Sequence, residues 1–363
     1  MKFAILLGAG ASAAEGAPLQ NKIFQTYFES VQKTKSIHIG MNTELATFFY
    51  QMFGIDVQNE NLETIHFPTF EEALGILDLA ERRRESLKDF DLENIAINSN
   101  RIRFIRQYLV LLMAKVLHDK LETNNGLHKR LIKNLKNEGL LGKTVFVSTN
   151  YDILIDNALT SLYPQFMLDY GVDFTNFDSP EDWKRPTKNP IGLFKIHGSL
   201  NWLYCPTCNS LTLTPKEKGV IRLLTDFSNS SCKVCESVIV PIIVPPTFYK
   251  DMSNVFLSII WNKVEQSLRT VDHFIFCGYS FPDADMHIKY LLKRVQTNRN
   301  IPFRVTVISN HEGKLESVSE MEEERYKRFL GKRVNYTKMS FEQFCDEPMR
   351  LFQSRGRLTS RSS

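Results

Sequence analysis

The stretch KFAILLGAGASA, residues 2–13, decides how the rest of the chain is read. Its first half is a short apolar run without alternation, as expected of a strand buried on both faces. Its second half places Gly8, Gly10 and Ala13 in the G-x-G-x-x-G/A pattern of a strand-to-helix turn. Glycine there lets the backbone approach a pyrophosphate. A tight turn without any ligand asks for the same residues. A secretion signal also begins with a lysine and apolar residues. It is set aside because the apolar run, Phe3 to Leu7, is too short, and cleavage after Ala13 would discard the motif.

Working outward, further apolar runs fall at 144–148, 193–196, 238–244, 273–277 and 303–308, between segments with helical spacing. This alternation predicts an α/β fold, a Rossmann-like doubly wound parallel sheet. Residues 1–24, 141–200 and 238–348 would build it. Residues 25–140 break the rhythm, with helical patterns at 43–53, 69–86, 101–120 and 126–137, and read as a helical insertion. The charged run 81–85 inside it reads as a solvated helix face. Residues 201–237 form a second, small insertion. The Ser- and Arg-rich end, 349–363, reads as a flexible basic tail.

Composition is that of an ordinary globular protein: 363 residues, 43% hydrophobic and 24% charged. A net charge of +4 gives no argument for nucleic acid or membrane as partner. No run of eighteen apolar residues occurs, so no membrane span is expected. Four of the six cysteines form two pairs, CPTC (205–208) and CKVC (232–235). Cys205, Cys208, Cys232 and Cys235 would close a tetrahedral zinc shell and leave no place for water, so the metal would be structural, with two disulfides as the alternative. Thiolates of this kind fit a reducing compartment, which places the chain in the cytoplasm. Cys277 and Cys345 read as buried thiols.

Polar clusters end several predicted strands, at the sheet edge where ligands bind. Thr149, Asn150 and Asp152 follow 144–148. They can hydrogen-bond sugar hydroxyls or a carboxamide, and they equally suit a helix N-cap. His197 ends the next strand, as a general base or as a structural histidine. Gly278 and Ser280 follow 273–277, and Asn310 follows 303–308, where phosphate or ribose contacts and turn chemistry both use such residues. A second strand ending in an acidic residue about 20 positions after the glycine turn is absent, which disfavours a dehydrogenase. A hydrolase triad of Ser12, His197 and Asp152 is set aside because no G-x-S-x-G elbow occurs.

In order, GAGAS (8–12), TNYD (149–152), IHGS (196–199), the paired CxxC, GYS (278–280) and ISN (308–310) resemble the sirtuin-like (silent information regulator type) NAD-consuming family. The resemblance covers most of the chain outside the helical insertion. It implies a parallel sheet, a smaller lobe with a zinc ribbon, and NAD+ between them. By resemblance Gly8, Ala9, Gly10 and Ser12 would hold the diphosphate. Asn150, beside Thr149, would touch the nicotinamide ribose, Asp152 would hold the carboxamide, and His197 would be the general base. Gly278 and Ser280 would form the second phosphate loop, and Asn310 would meet the adenosine ribose.

Three departures separate the chain from the family's protein deacylases. Leu19, Gln20 and Asn21 stand where those have Asp, Phe and Arg after G-x-P, and Thr149 replaces their Gln. In the segment from Pro241 where they pair with an acyl-lysine peptide, the neighbouring Pro245 and Pro246 after Val244 would interrupt such pairing. This looks like the bacterial branch that hydrolyses NAD+ in anti-phage defence. The expected activity is therefore that of an NAD+ glycohydrolase, with a lysine deacylase and a non-catalytic NAD+ or ADP-ribose binding module as alternatives. Members of that branch act in oligomers or beside a partner such as a HerA-type motor ATPase.

Overall fold

The computed structural model describes residues 1–35, 40–85, 87, 95–162, 168–176, 182–183, 185–214, 231–243, 254–283, 285–310 and 313–352. Seven strands form one parallel sheet: β1 (Phe3–Leu7), β2 (Thr144–Ser148), β3 (Leu168–Asp169), β6 (Ile191–Lys195), β10 (His273–Cys277), β11 (Arg304–Ile308) and β12 (Val334–Thr337). Their spatial order is β12-β11-β10-β1-β2-β6-β3. Every residue of β1 and β10 is buried, which explains why these strands read as unbroken apolar runs. From β1 the chain builds outward through β2 and β6. It later returns to β10 and builds the other way, so the direction of winding reverses between β1 and β10.

A second sheet, absent from the sequence reading, has the order β5-β4-β8-β7-β9. Its strands are β4 (Phe174–Asn176), β5 (Asp182–Trp183), β7 (Gly198–Tyr204), β8 (Leu211–Leu213) and β9 (Val240–Ile243). The run 238–244, expected in the parallel sheet, instead supplies β9, which pairs antiparallel with β7. A short apolar run has the same appearance in either sheet. At the edge of this one Pro241 is tolerated.

The helical segment forms where expected. Helices α2 (Ile23–Lys33), α3 (Met41–Phe53), α4 (Phe70–Arg83) and α5 (Ile95–Leu121) follow the short turn of helix α1 (Ala9–Ala13). Thr69 and Glu72 close a capping box that starts α4, and Gly54, left-handed at φ 67°, ends α3. Phe24 meets Phe49 edge-on at 4.7 Å, and Phe28 meets the same ring at 5.2 Å. This core also contains Leu200, Leu203, Cys205, Cys232, Ile239 and Ile243. The two expected insertions therefore share one hydrophobic core, and the cysteine segment does not depend on its metal alone. Arg82, Arg83 and Arg84 are exposed, as a solvated face requires.

Helix α6 (Leu127–Asn137), expected in the insertion, packs Leu127, Leu131, Ile132 and Leu135 into the core of the parallel sheet. The remaining helices are α7 (Leu154–Leu162), α8 (Val255–Leu268), α9 (Met286–Thr297), α10 (Glu316–Leu330), α11 (Phe341–Asp346) and α12 (Met349–Phe352). The last of these corrects the expected tail. Leu351 and Phe352 are buried, and Phe352 lies edge-on to Phe3 at 4.4 Å; residues 353–363 lie outside the described residues.

Gly198 begins β7 at φ +87°, and a Cβ there would lie 2.0 Å from the Ile242 carbonyl oxygen. Gly198→Ala is expected to lower stability by more than about 2 kcal/mol in a denaturant melt, from the left-handed backbone and the clash together. Gly142→Ala, built into open space at an ordinary φ, should change it by less than about 0.5 kcal/mol.

Candidate active site

Strand register sets the level of the site. Ile308 pairs with Cys277, Cys277 with Leu7, Leu7 with Ser148, and Ser148 with Lys195. Each candidate segment leaves its strand immediately beyond this row. The turns after β1 and β10 lie against each other at the point where winding reverses. Gly8 N–H donates to the Cys277 carbonyl at 2.9 Å, and Gly10 N–H to the Gly278 carbonyl at 2.8 Å. A Cβ on Gly278 would sit 2.3 Å from Ala11 N, and one on Gly8 would sit 2.6 Å from Gly278 O. The loop-on-loop contact thus requires these glycines whether or not a phosphate is present.

Across β1 and β2, Ser12, Asn150 and Asp152 bind one another. Asn150 Nδ2 donates to Gly8 O at 2.9 Å and to Ser12 Oγ at 2.8 Å; Ser12 Oγ donates to Asp152 Oδ2 at 2.5 Å. Asp152 Oδ1 accepts from Leu154 N–H at 3.1 Å, so the cap-like role is filled as well. Thr149 N–H donates to Leu7 O at 3.0 Å. His197, buried at 2% exposure, places Nδ1 3.2 Å from the Thr149 carbonyl. A carbonyl only accepts, so Nδ1 carries the hydrogen and Nε2 of the neutral ring is the basic nitrogen. The structure thus brings Gly8, Gly10, Ser12, Thr149, Asn150, Asp152 and His197 together. Ala9 is exposed on the turn, while Ser280 and Asn310 are exposed at the β10 and β11 end of the row.

The Gly8–Ser12 turn is anchored from below. Asn125 Nδ2 donates to Ala14 O at 2.9 Å, and the buried Glu15 carboxylate lies 2.9 Å from His128 Nδ1. Burial pushes the Glu15 carboxyl up, but the His128 bonds outweigh it and hold the group below the usual carboxylate range.

Several residues around the site were given no role from sequence. Tyr151 is buried with its ring 6.4 Å from that of His197. Burial raises its hydroxyl pKa well above the ordinary value, and Glu71, Asp285 and Asp78 add to the rise. Tyr279 donates to Asp285 at 2.6 Å, Gln20 to Glu71 at 2.5 Å, and Arg106 pairs with Asp78 at 2.6 Å. Glu71 and Asp78 share α4, and Arg106 lies on α5, so the helical segment supplies charged groups that act on the site. Only their arrival in space marks Glu71, Asp78 and Arg106 out, because no local motif surrounds them in the sequence.

Cys205, Cys208, Cys232 and Cys235 converge, with all four Sγ atoms within 4.8 Å of one another. The 205–235 and 208–232 Sγ pairs stand at 3.5 Å, too long for a disulfide and close to the edge of about 3.8 Å of a tetrahedron with 2.3 Å metal–sulfur bonds. Burial pushes the Cys232 thiol up, yet hydrogen bonds from Ser210 and the Val234 and Cys235 amides bring it down to about 6, which favours a thiolate ligand. The four sulfurs fit a closed structural metal shell. Among the described residues no helix is long and apolar enough to cross a membrane.

A family model described as the SIR2-like domain matches residues 144–330. A search of curated proteins finds no match. Among solved structures, Sir2 in complex with the inhibitor EX-527, 2′-O-acetyl-ADP-ribose and a deacetylated p53 peptide is 13% identical, with 97% of this chain and 94% of that one covered, at a TM-score of 0.39. Sir2 with a p53 peptide and NAD+ gives 13% identity, 97% and 93% coverage, and 0.41. A mutant Sir2 homologue in complex with ADP-ribose gives 12%, 96% and 90%, and 0.39. Matched over more than half its length by that family model, the chain belongs to the SIR2-like family.

Proposed function

We propose that the chain hydrolyses NAD+ to nicotinamide and ADP-ribose. The observation that carries this reading is the grouping of Asn150, Asp152 and His197 at the ends of adjacent strands, beside the Gly8–Ser12 turn. The bond between ribose C1′ and the nicotinamide nitrogen breaks, and its electron pair neutralises the pyridinium, so the base leaves uncharged. The ribosyl centre passes through an oxocarbenium-like state, and water bonds to C1′. His197 Nε2 takes the proton from water or from a ribose hydroxyl. Asp152 would orient the carboxamide and Asn150 the ribose, so catalysis rests chiefly on placement. Gly8, Gly10, Ser12, Gly278 and Ser280 would line the diphosphate, and Asn310 the adenosine ribose.

Two features support water rather than an acyl-lysine peptide as the acceptor. Pro241 has no N–H for an added strand, and the Ile243 carbonyl already accepts from Arg106 of α5 at 3.4 Å. The four cysteines would hold a structural zinc remote from the chemistry. The resemblance supports a further role as a cytoplasmic anti-phage effector that depletes NAD+, working as a homo-oligomer or with a motor ATPase.

Purified protein should release nicotinamide from NAD+ without any peptide, and Asn150→Ala and His197→Ala should each slow release by about 100-fold or more. Release only in the presence of an acetyl-lysine peptide would overturn hydrolysis in favour of deacylation. Metal analysis should find about one zinc per chain, and Cys232→Ser should lower both zinc content and Tm. A zinc-free, fully folded protein would refute the metal assignment.

A further inference from the structure

Beneath the candidate site lies a buried charge that the proposed chemistry does not use. Lys195, the last residue of β6, has no solvent exposure. Its ammonium donates to the main-chain carbonyl of Asp152 and pairs with Asp156 Oδ2 at 3.3 Å. Asp156 is buried at 2% exposure, and its other oxygen accepts from the Tyr170 hydroxyl at 2.9 Å.

The sheet explains how this group forms. Ser148 and Lys195 are register partners, so the turn that begins at Thr149 rises directly beside Lys195. That turn carries Asn150 and leads into α7, whose first turn supplies Asp156. The end of β6 then grips it at two carbonyls. His197 holds Thr149 O through Nδ1, and Lys195 holds Asp152 O. Removing an ammonium and a carboxylate from water is costly, and well-packed apolar residues in their place are often as stable. Stability is thus a weak reason for such a pair, whereas a fixed carbonyl position is something an apolar pair cannot supply.

We propose that Lys195 is a positioning residue whose grip on the Asp152 carbonyl sets the 149–152 turn, and with it Asn150 and Asp152, against the nicotinamide end of NAD+. This rests on the reading of the site given above. ADP-ribose lacks nicotinamide, so the role shows as a difference between two ligands rather than as a general loss.

The test is a Lys195→Met, Asp156→Leu, Tyr170→Phe triple variant, which removes the ion pair together with the hydroxyl bound to it and leaves no buried charge unpaired; Asn201, the hydroxyl's other partner, stays. Calorimetric titration with NAD+ and with ADP-ribose is combined with nicotinamide release. The expected result is a Tm within a few degrees of wild type, ADP-ribose affinity weaker by no more than about threefold, since that ligand keeps the ribose but lacks the carboxamide, NAD+ affinity about tenfold weaker, and turnover lower by about 10- to 100-fold. A folded variant with wild-type NAD+ affinity and turnover would overturn the proposal, as would equal losses for both ligands. If the triple variant does not fold, the same affinity ratio is read on Lys195→Arg, where an unchanged ratio rejects the role. A wild-type chain that binds both ligands but releases no nicotinamide counts against hydrolysis, while the ratio still decides the role of Lys195. Failure of the wild type to bind either ligand would overturn both.

Discussion

Hydrogen bonding between parallel strands fixes their relative height, and here it puts Ile308, Cys277, Leu7, Ser148 and Lys195 in one row. Everything chemical in the molecule is counted from that row. A one-residue slip of any strand would turn its buried side chains to the opposite face, so packing enforces the level as strongly as the hydrogen bonds do. The turns that follow are short and locked to one another. Gly8 and Gly10 fasten to β10 and its turn, Asn150 to Gly8 and Ser12, and His197 to Thr149. The candidate site is therefore tied to the sheet at several points rather than carried on a free loop.

The remainder of the chain forms a single second core over this edge. Helices from 23–121 and strands around the cysteine cluster bury their apolar residues together, and Tyr151 contributes to that core from the site itself. The result is a lobe that delivers Glu71, Asp78 and Arg106 toward the ends of β2 and β10. A wholly apolar lobe would exclude water there, but it would not shape the electrostatics around Tyr151, whose hydroxyl those charged groups act on.

Much of this was legible in the chain. The strands of the row announce themselves because burial on both faces leaves uninterrupted apolar runs, and the polar residues after them stand out by contrast. The cysteine spacing needed no further context. What was not legible depends on encounters between distant segments. The run 193–196 marks Lys195 as part of a strand but not its partners, since Asp156 and Tyr170 reach it only when β6 lies between β2 and β3. Val240–Ile243 has the composition of a central strand, and only its pairing with Gly198–Tyr204 shows otherwise. Met349–Phe352 borders a Ser- and Arg-rich end, yet Phe352 finds an aromatic partner in Phe3 across the whole length of the chain.

That last contact has a consequence for how the protein is made. β1 is synthesised first and stands at the middle of the sheet, but one of its two neighbours begins only at His273, and the ring that covers Phe3 is residue 352. Contacts so far apart in sequence close late. The helical segment can collapse on itself while the ribosome is still reading, whereas the glycine turn cannot acquire the β10 loop it packs against until most of the chain has emerged. The contact between the Gly8–Gly10 turn and the Gly278 loop therefore forms only after β10 has been made. The strand at the middle of the sheet is thus among the first to be made and among the last to be enclosed.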